Sequence, residues 1–413
     1  MEIESPKTIK NRLTVPLCFM VAMCEGIDVQ SAGVAAPKLA AAFHFGSTEL
    51  GQVFSSCLFG MFLGAIVGGR IADAVGPKRV LVFSMYVFCI FSLGTAAAEG
   101  KGSLLAMRFL TGLGLGGAMP NIFAMTAEAS REVARSLALT VVFCGLPLGG
   151  AIVSLVALLG FSDWRAIFYV GAAAPLIVAP LIIIALQESR TFEVMSLDLS
   201  AANTTELAAA ATRRRGAMAS LFGRGRALTT LILWTASFLT LMTLFLLINW
   251  LPTLLIGKGL NREEASLVQI VFNVGGAGGS VLAGALLDRH ARARVVSWTY
   301  ATLGISLALM AWLHVQLTGA AVIALFIGAA AIAAQAVIFA IAPEHYAVSH
   351  RSTGIGAVVA AGRLGSIFGP LVTGILLNGG GSAERVFLQL LPVIACAGLS
   401  GVAMVAWLRP PRD

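Results

Sequence analysis

The sequence predicts an all-α membrane protein, with twelve transmembrane helices set out as two pseudo-symmetric six-helix halves. Composition, segment length and an internal repeat predict this together. Of 413 residues, 58% are hydrophobic and only 12% charged, and the mean hydropathy is +0.89. A soluble domain carries about 25% charged residues. Apolar segments of about 20 residues, the length that crosses a bilayer, recur along the chain. Two unrelated patterns then return at one spacing. Gly69-x-x-x-Asp73 reappears as Gly284-x-x-x-Asp288, and Glu128-x6-Arg135-Ser136 reappears as Glu344-x6-Arg351-Ser352, 215 and 216 residues further on. Parallel duplication of this kind is one plan of secondary transporters, with the substrate near the midplane between the halves.

The spans of the first half fall at about residues 13–37, 49–72, 79–98, 103–126, 134–160 and 164–187. The first holds Glu25-Gly26-Ile27-Asp28, and the second ends in the Gly69–Asp73 pattern. Lys78 and Arg79 open the third. The fourth carries Arg108 and the glycine run Gly112-x-Gly114-x-Gly116-Gly117 and is followed by Glu128. Arg135 and Ser136 begin the fifth, and the sixth closes on Leu186-Gln187-Glu188-Ser189. Spans of the second half fall at about residues 228–256, 265–288, 294–313, 318–342, 352–378 and 384–408. The seventh contains Asn249-Trp250-Leu251-Pro252, the eighth ends at Asp288, the tenth contains Gln335, and the eleventh contains Arg363. This divides the chain into residues 1–187, a linker at 188–227 that is rich in Ala, Thr and Arg, and residues 228–413. The linker is expected to be a flexible segment or a short surface helix.

An even number of spans puts both termini on one side. Lys78, Arg79, Arg131, Arg135, Arg213, Arg214, Arg215, Arg289, Arg292, Arg294 and Arg351 fall on that side, against Lys38, Lys101, Arg165, Lys258, Arg262 and Arg385 opposite. The positive-inside rule puts the termini on the cytoplasmic side. Most of the net charge of +8 is thereby a topology signal, and a nucleic-acid partner is not expected. The six cysteines lie in apolar segments without C-x-x-C spacing, and the five histidines form no ligand motif. No cofactor, metal or enzymatic activity is expected, and the chain is taken as a monomer. The glycine run resembles a dinucleotide fingerprint only superficially, because no strand precedes it; helix packing explains it better, as it does Gly60-x-x-x-Gly64-x-x-x-Gly68 and Gly275-Gly276-Ala277-Gly278-Gly279.

Glu25 and Asp28 are the residues around which the chain is organised. At i and i+3 they share a helix face, and each costs about 2.5–3.5 kcal/mol to place at mid-bilayer. Intramembrane acids of this kind mark proton or ion pathways; the competing reading is a pair locked to a basic partner for packing alone. Arg108, at a similar depth in the fourth span, is the expected partner of Asp28. A merely structural salt bridge is the alternative. Arg363 takes the place of Pro147 in the first half and has no acidic neighbour in the spans of the second. As an unpaired buried arginine it would receive an anion, gripping a carboxylate as a planar fork; snorkelling, or satisfaction by helix-end carbonyls, is the alternative. Asn249, Trp250 and Gln335 would line a pocket for a ring-bearing ligand, with an interfacial belt position the rival for Trp250.

Gly69-Arg70-Ile71-Ala72-Asp73-Ala74-Val75-Gly76-Pro77-Lys78-Arg79 resembles the loop signature of the major facilitator superfamily, and the chain resembles that superfamily along its whole length. Arg108 with its glycine run, Leu186-Gln187-Glu188-Ser189 and Arg351-x-Thr353-Gly354 support the match. Within it, Glu25-Gly26-Ile27-Asp28-Val29-Gln30, Ile248-Asn249-Trp250-Leu251-Pro252 and Gly362-Arg363-Leu364-Gly365 are similar to patterns of the aromatic acid:proton symporters. The leading glutamate most resembles the branch that carries 3-(3-hydroxyphenyl)propionate and related phenolic acids. The resemblance implies import of an aromatic carboxylate with protons by alternating access. It implies proton coupling by Glu25 and Asp28, and substrate binding by Arg108 and Arg363. A proton on Asp28, helped by Glu25, would free Arg108. Latches on the cytoplasmic side would form from Asp73, Lys78, Arg79, Glu128, Arg135, Asp288, Glu344 and Arg351. Ala74 and Pro77 depart from basic positions of the signature, which implies a looser latch around Asp73. A sugar-acid or other organic-anion symporter and a proton-coupled exporter are the rival readings.

Overall fold

The computed structural model describes residues 6–130, 135–159, 163–189, 192, 227–313, 316–346 and 351–407. Most of the linker and the Arg213-Arg214-Arg215 run lie outside them. The described chain is helical: α1 (Pro6–Phe43), α2 (Ser47–Val75), α3 (Pro77–Ala96), α4 (Lys101–Gly116), α5 (Ala118–Ala129), α6 (Arg135–Leu158) and α7 (Arg165–Ala185), then α8 (Ala227–Gly257), α9 (Arg262–Arg289), α10 (Arg292–Trp312), α11 (Leu317–Ile341), α12 (Arg351–Asn378) and α13 (Ala383–Trp407). A 3-10 turn, Ala342–His345, follows α11. Eleven of these helices are each long and apolar enough to cross a membrane. The twelfth span is α4 and α5 together.

That division corrects the single fourth span expected from the sequence. Pro120 has no N–H to give the carbonyl of Gly116, and its ring crowds that carbonyl. The helix breaks at Gly117, whose N–H turns back to Gly114 O at 3.3 Å. The Asn121 side chain donates to Gly117 O at 2.7 Å. The first span also runs beyond its expected end, through Pro37 to Phe43.

Packing repeats with the sequence. In the first half α1 packs on α6, α2 on α4, and α3 on α7; in the second α8 packs on α12, α9 on α11, and α10 on α13. Glycines make these contacts at matching places. Gly60 and Gly64 of α2 lie against the backbone of Phe109 and Leu113, and Gly275 and Gly279 of α9 against that of Leu325 and Ala329. Gly149 of α6 and Gly365 of α12 do the same against Met23 and Phe238. Small residues let helix backbones approach in this way. Gly26, between the two acids of α1, faces the backbone of Leu146 so closely that a methyl group would overlap its carbonyl. Gly26→Val should therefore cost at least about 1–3 kcal/mol, the usual range for overpacking. Thermal unfolding of the detergent-solubilised protein would register it as a lowered midpoint; an unchanged midpoint would mean that α6 can yield.

The ends of the bundle form two faces, named here for the α1–α2 turn at Gly46 and the α2–α3 turn at Gly76. Contacts between the halves run from mid-span, where the Cys144 thiol lies 3.2 Å from the Ser280 hydroxyl, toward the Gly46 face. There Gly33 abuts Asn249, Gly51 abuts Pro370, and Gly374 abuts Ser47. The Ser55 hydroxyl donates to Ile367 O at 2.7 Å, and Phe54 meets Trp250 edge-on at 5.2 Å. On the other side, a side chain begun at Gly69 or Gly284 would meet nothing within 4 Å.

Candidate functional site

The i, i+3 spacing of α1 turns Glu25 and Asp28 toward different arginines. Asp28 is fully buried. Arg108 Nη1 donates to both of its carboxylate oxygens, at 2.9 and 3.0 Å, and Nη2 reaches its backbone carbonyl at 3.4 Å. The guanidinium carbon lies 5.6 Å from the centre of the Phe168 ring, a cation–π distance. The Cys57 thiol approaches Asp28 Oδ2 at 3.7 Å. Asp28 and Arg108 thus form a tight pair inside the first half.

Glu25 is different. Its side chain is as deeply buried, yet neither oxygen has a hydrogen-bond partner among the described residues. Nη2 of Arg363, from the other half, lies 3.9 Å from Oε1, inside charge-pair range but beyond a hydrogen bond. Arg363 is therefore not the unpaired cation that the sequence suggests. The acid facing it belongs to the opposite half, which a search of its own half could not find. Arg363 keeps 17% of its side chain accessible. Gln335 on α11 keeps 9% of its surface accessible.

Asn249 and Trp250 are placed elsewhere. Asn249 Nδ2 donates to Phe245 O at 2.8 Å, one turn back. Trp250 is fully buried, its indole N–H donating to Pro370 O at 3.0 Å and its ring against Phe54. It lies at the seam between the halves, too deeply buried for an interfacial belt position.

The latch residues sit around the Gly76 face. Asp73, Arg79 and Asp288 are exposed. Lys78 donates through Nζ to Ile183 O at 3.0 Å and through its backbone N–H to Glu188 Oε1 at 2.8 Å. Ser189 donates to Glu128 at 2.6 Å, and Arg135 Nε to Ala127 O at 3.1 Å. Glu344 pairs with Arg292. Arg351 opens α12, with its side chain outside the described set. Among the described residues, no group of His, Cys, Asp or Glu is placed to hold a metal ion.

Sequence reasoning missed an amide cluster two residues beyond Asp28. Gln30 of α1 meets Gln269 and Asn273 of α9, all three fully buried. Gln30 Nε2 donates to Asn273 Oδ1 at 2.8 Å, and Gln30 Oε1 accepts from Gln269 Nε2 and Asn273 Nδ2, both at 2.9 Å. Gln269 Nε2 also points at Ile248 O, at 3.5 Å, the carbonyl that Pro252 cannot bond. The available signal was two amides at i and i+4 in an apolar span.

A duplicated bundle of twelve spans, with opposed buried charges meeting between its halves, defines a membrane transporter rather than an enzyme. The family model described as "Major Facilitator Superfamily" matches residues 18–262 and 233–413, and the chain belongs to that superfamily. It is 37% identical over 407 residues to the 3-(3-hydroxy-phenyl)propionate transporter of Escherichia coli (strain K12), covering 97% of this chain and 96% of that protein. It is 32% identical to the 4-hydroxybenzoate transporter PcaK of Pseudomonas aeruginosa, covering 93% and 90%, and 31% identical to the gallate transporter of Pseudomonas putida, with the same coverage. Among solved structures, the inward-open xylose transporter XylE from E. coli superposes with a TM-score of 0.75 at 16% identity, covering 98% of this chain and 97% of that one.

Proposed function

We propose that the chain imports a hydroxylated aromatic carboxylate together with protons across a bacterial inner membrane, acting as a monomer. Its two halves, residues 1–187 and 228–413, would rock about the site on either side of the linker. Arginines concentrate on the Gly76 face, at Arg70, Arg79, Arg135, Arg289, Arg292 and Arg294, so that face, with both termini, is assigned to the cytoplasm. The Gly46 face is then external and closed, and the molecule faces inward. The relatives named for hydroxyphenylpropionate, hydroxybenzoate and gallate support the substrate class.

One observation supports the mechanism: Glu25 and Arg363 face each other across the two halves, and among the described residues the Glu25 carboxylate has no hydrogen-bond partner. A buried ionised carboxylate without donors is costly. The substrate carboxylate takes Arg363 from Glu25, and Glu25 takes a proton as it loses the cation. Asp28 and Arg108, already tightly paired, hold α1 and α4 in place during the exchange. The aromatic ring lies toward Gln335, a buried amide on α11 that would bond a ring hydroxyl. Asp73 and Asp288, with the basic residues beside them, latch the cytoplasmic face when the outside opens.

The test is uptake into liposomes that contain the purified chain under an imposed pH gradient. Labelled 3-(3-hydroxyphenyl)propionate should accumulate. 4-Hydroxybenzoate and gallate should compete, and hexonates should not. An absence of accumulation across this panel, or competition by hexonates instead, would overturn the assignment.

A further inference from the structure

We propose that Gln30, Gln269 and Asn273 form the bolt that holds the external gate shut, and so position the halves for the inward-facing part of the cycle. This rests on the orientation and transport reading given above. The three amides lie between the site and the external face: Gln30 is five residues beyond Glu25 along α1, a rise of about 7 Å. They join α1 to α9, helices from different halves. Every one of their cross-half hydrogen bonds involves Gln30: one that it donates to Asn273, and two that its oxygen accepts from Gln269 and Asn273. When the outside opens, α1 and α9 must separate there, and all three bonds break together.

The surroundings explain why amides serve as the bolt. Apart from the Ser55–Ile367 bond between α2 and α12 and the Cys144–Ser280 contact at mid-span, the seam around them is apolar or bare backbone, with Gly33 on Asn249 and Phe54 on Trp250. Such contacts are not directional. The amide bonds fix one closed register of α1 against α9, because each needs its partner at hydrogen-bond distance. Buried amides without partners are unfavourable, so a misaligned closed state is penalised. External water can take over the same hydrogen bonds once the gate opens, which keeps the bolt reversible. An ion pair at this place would bind more stubbornly and compete with Arg363 for acids. Gln269 Oε1 has no partner among the described residues, so the cluster is incompletely satisfied even when closed, as a bolt that must release would be.

The test reads the gate directly and needs no transported substrate, so it stands apart from the substrate assignment. Ser55, buried where α2 meets α12 and bonded to Ile367 O, is changed to cysteine. Its labelling by a maleimide is followed by peptide mass spectrometry on the full chain in nanodiscs, where both faces are open to reagent. Native Cys89, buried between α3 and α7 within the first half, is read in the same samples. Gln30→Ala should raise Ser55→Cys labelling by about tenfold, which is about 1.4 kcal/mol, with Cys89 unchanged. Adding Asn273→Ala should give no more than about a twofold further rise, because Gln30 carries every cross-half bond. If Gln30→Ala fails to fold, Gln30→Asn retracts the amide by one methylene and is read in the same way. Unchanged labelling at Ser55→Cys overturns the proposal. So does a parallel rise at Cys89, which would make the amides a general packing element.

Discussion

Glu25→Gln is expected to abolish proton-driven accumulation, bringing the accumulation ratio to about 1, because a gradient drives uptake only where the two binding events are energetically linked. Exchange of labelled for unlabelled substrate should persist, since glutamine keeps the shape of the side chain and leaves Arg363 to bind the carboxylate. Measuring both modes in the same liposomes separates coupling from binding. Loss of both would mean that Glu25 holds the site together and does not carry the proton. Accumulation at the parental ratio would move the coupling role to Asp28.

The largest loss of stability is expected from Arg108→Met. Removing one member of a buried ion pair leaves the other uncompensated, at a cost of about 3–5 kcal/mol. Asp28 would lose both hydrogen bonds that Arg108 donates to its carboxylate, and the cation that faces it. Combining Arg108→Met with Asp28→Asn should recover most of the loss, since no charge is then stranded. Thermal midpoints of the single and double variants in detergent make a double-mutant cycle. Additive losses would show that the two residues do not act as a pair. Asp28→Asn alone should lower uptake less than Glu25→Gln lowers accumulation, because Asp28 is fixed within its own half.

What the sequence revealed followed a physical logic. Spans announced themselves by length and hydropathy, and the duplication by patterns 215 and 216 residues apart. Its reality shows in the glycines: Gly60 and Gly64 have the same packing duty as Gly275 and Gly279. Asp28 and Arg108 were legible as partners because both lie in one half and their depths follow from counting residues. Arg363 and Glu25 were not, because their meeting depends on how the two halves dock. The place of Trp250 in the seam was hidden for the same reason, since Phe54, which its ring meets, belongs to α2 of the other half. The break at Gly117 was written in the Gly-Gly pair and Pro120, but composition alone could not distinguish a kink from continuous helix. The amide cluster was hidden because polar residues in a span gain meaning only from their neighbours.

Gly33, Gly51 and Gly374, where the two halves touch through bare backbone, also bear on how such a machine can diverge. A bulkier residue at any of them would act as a wedge, propping the Gly46 end of the bundle ajar without altering the charged groups at mid-span. Descendants could thus acquire slower or faster turnover by tinkering with fit along this crease, while their preference for one nutrient over another stayed as it was.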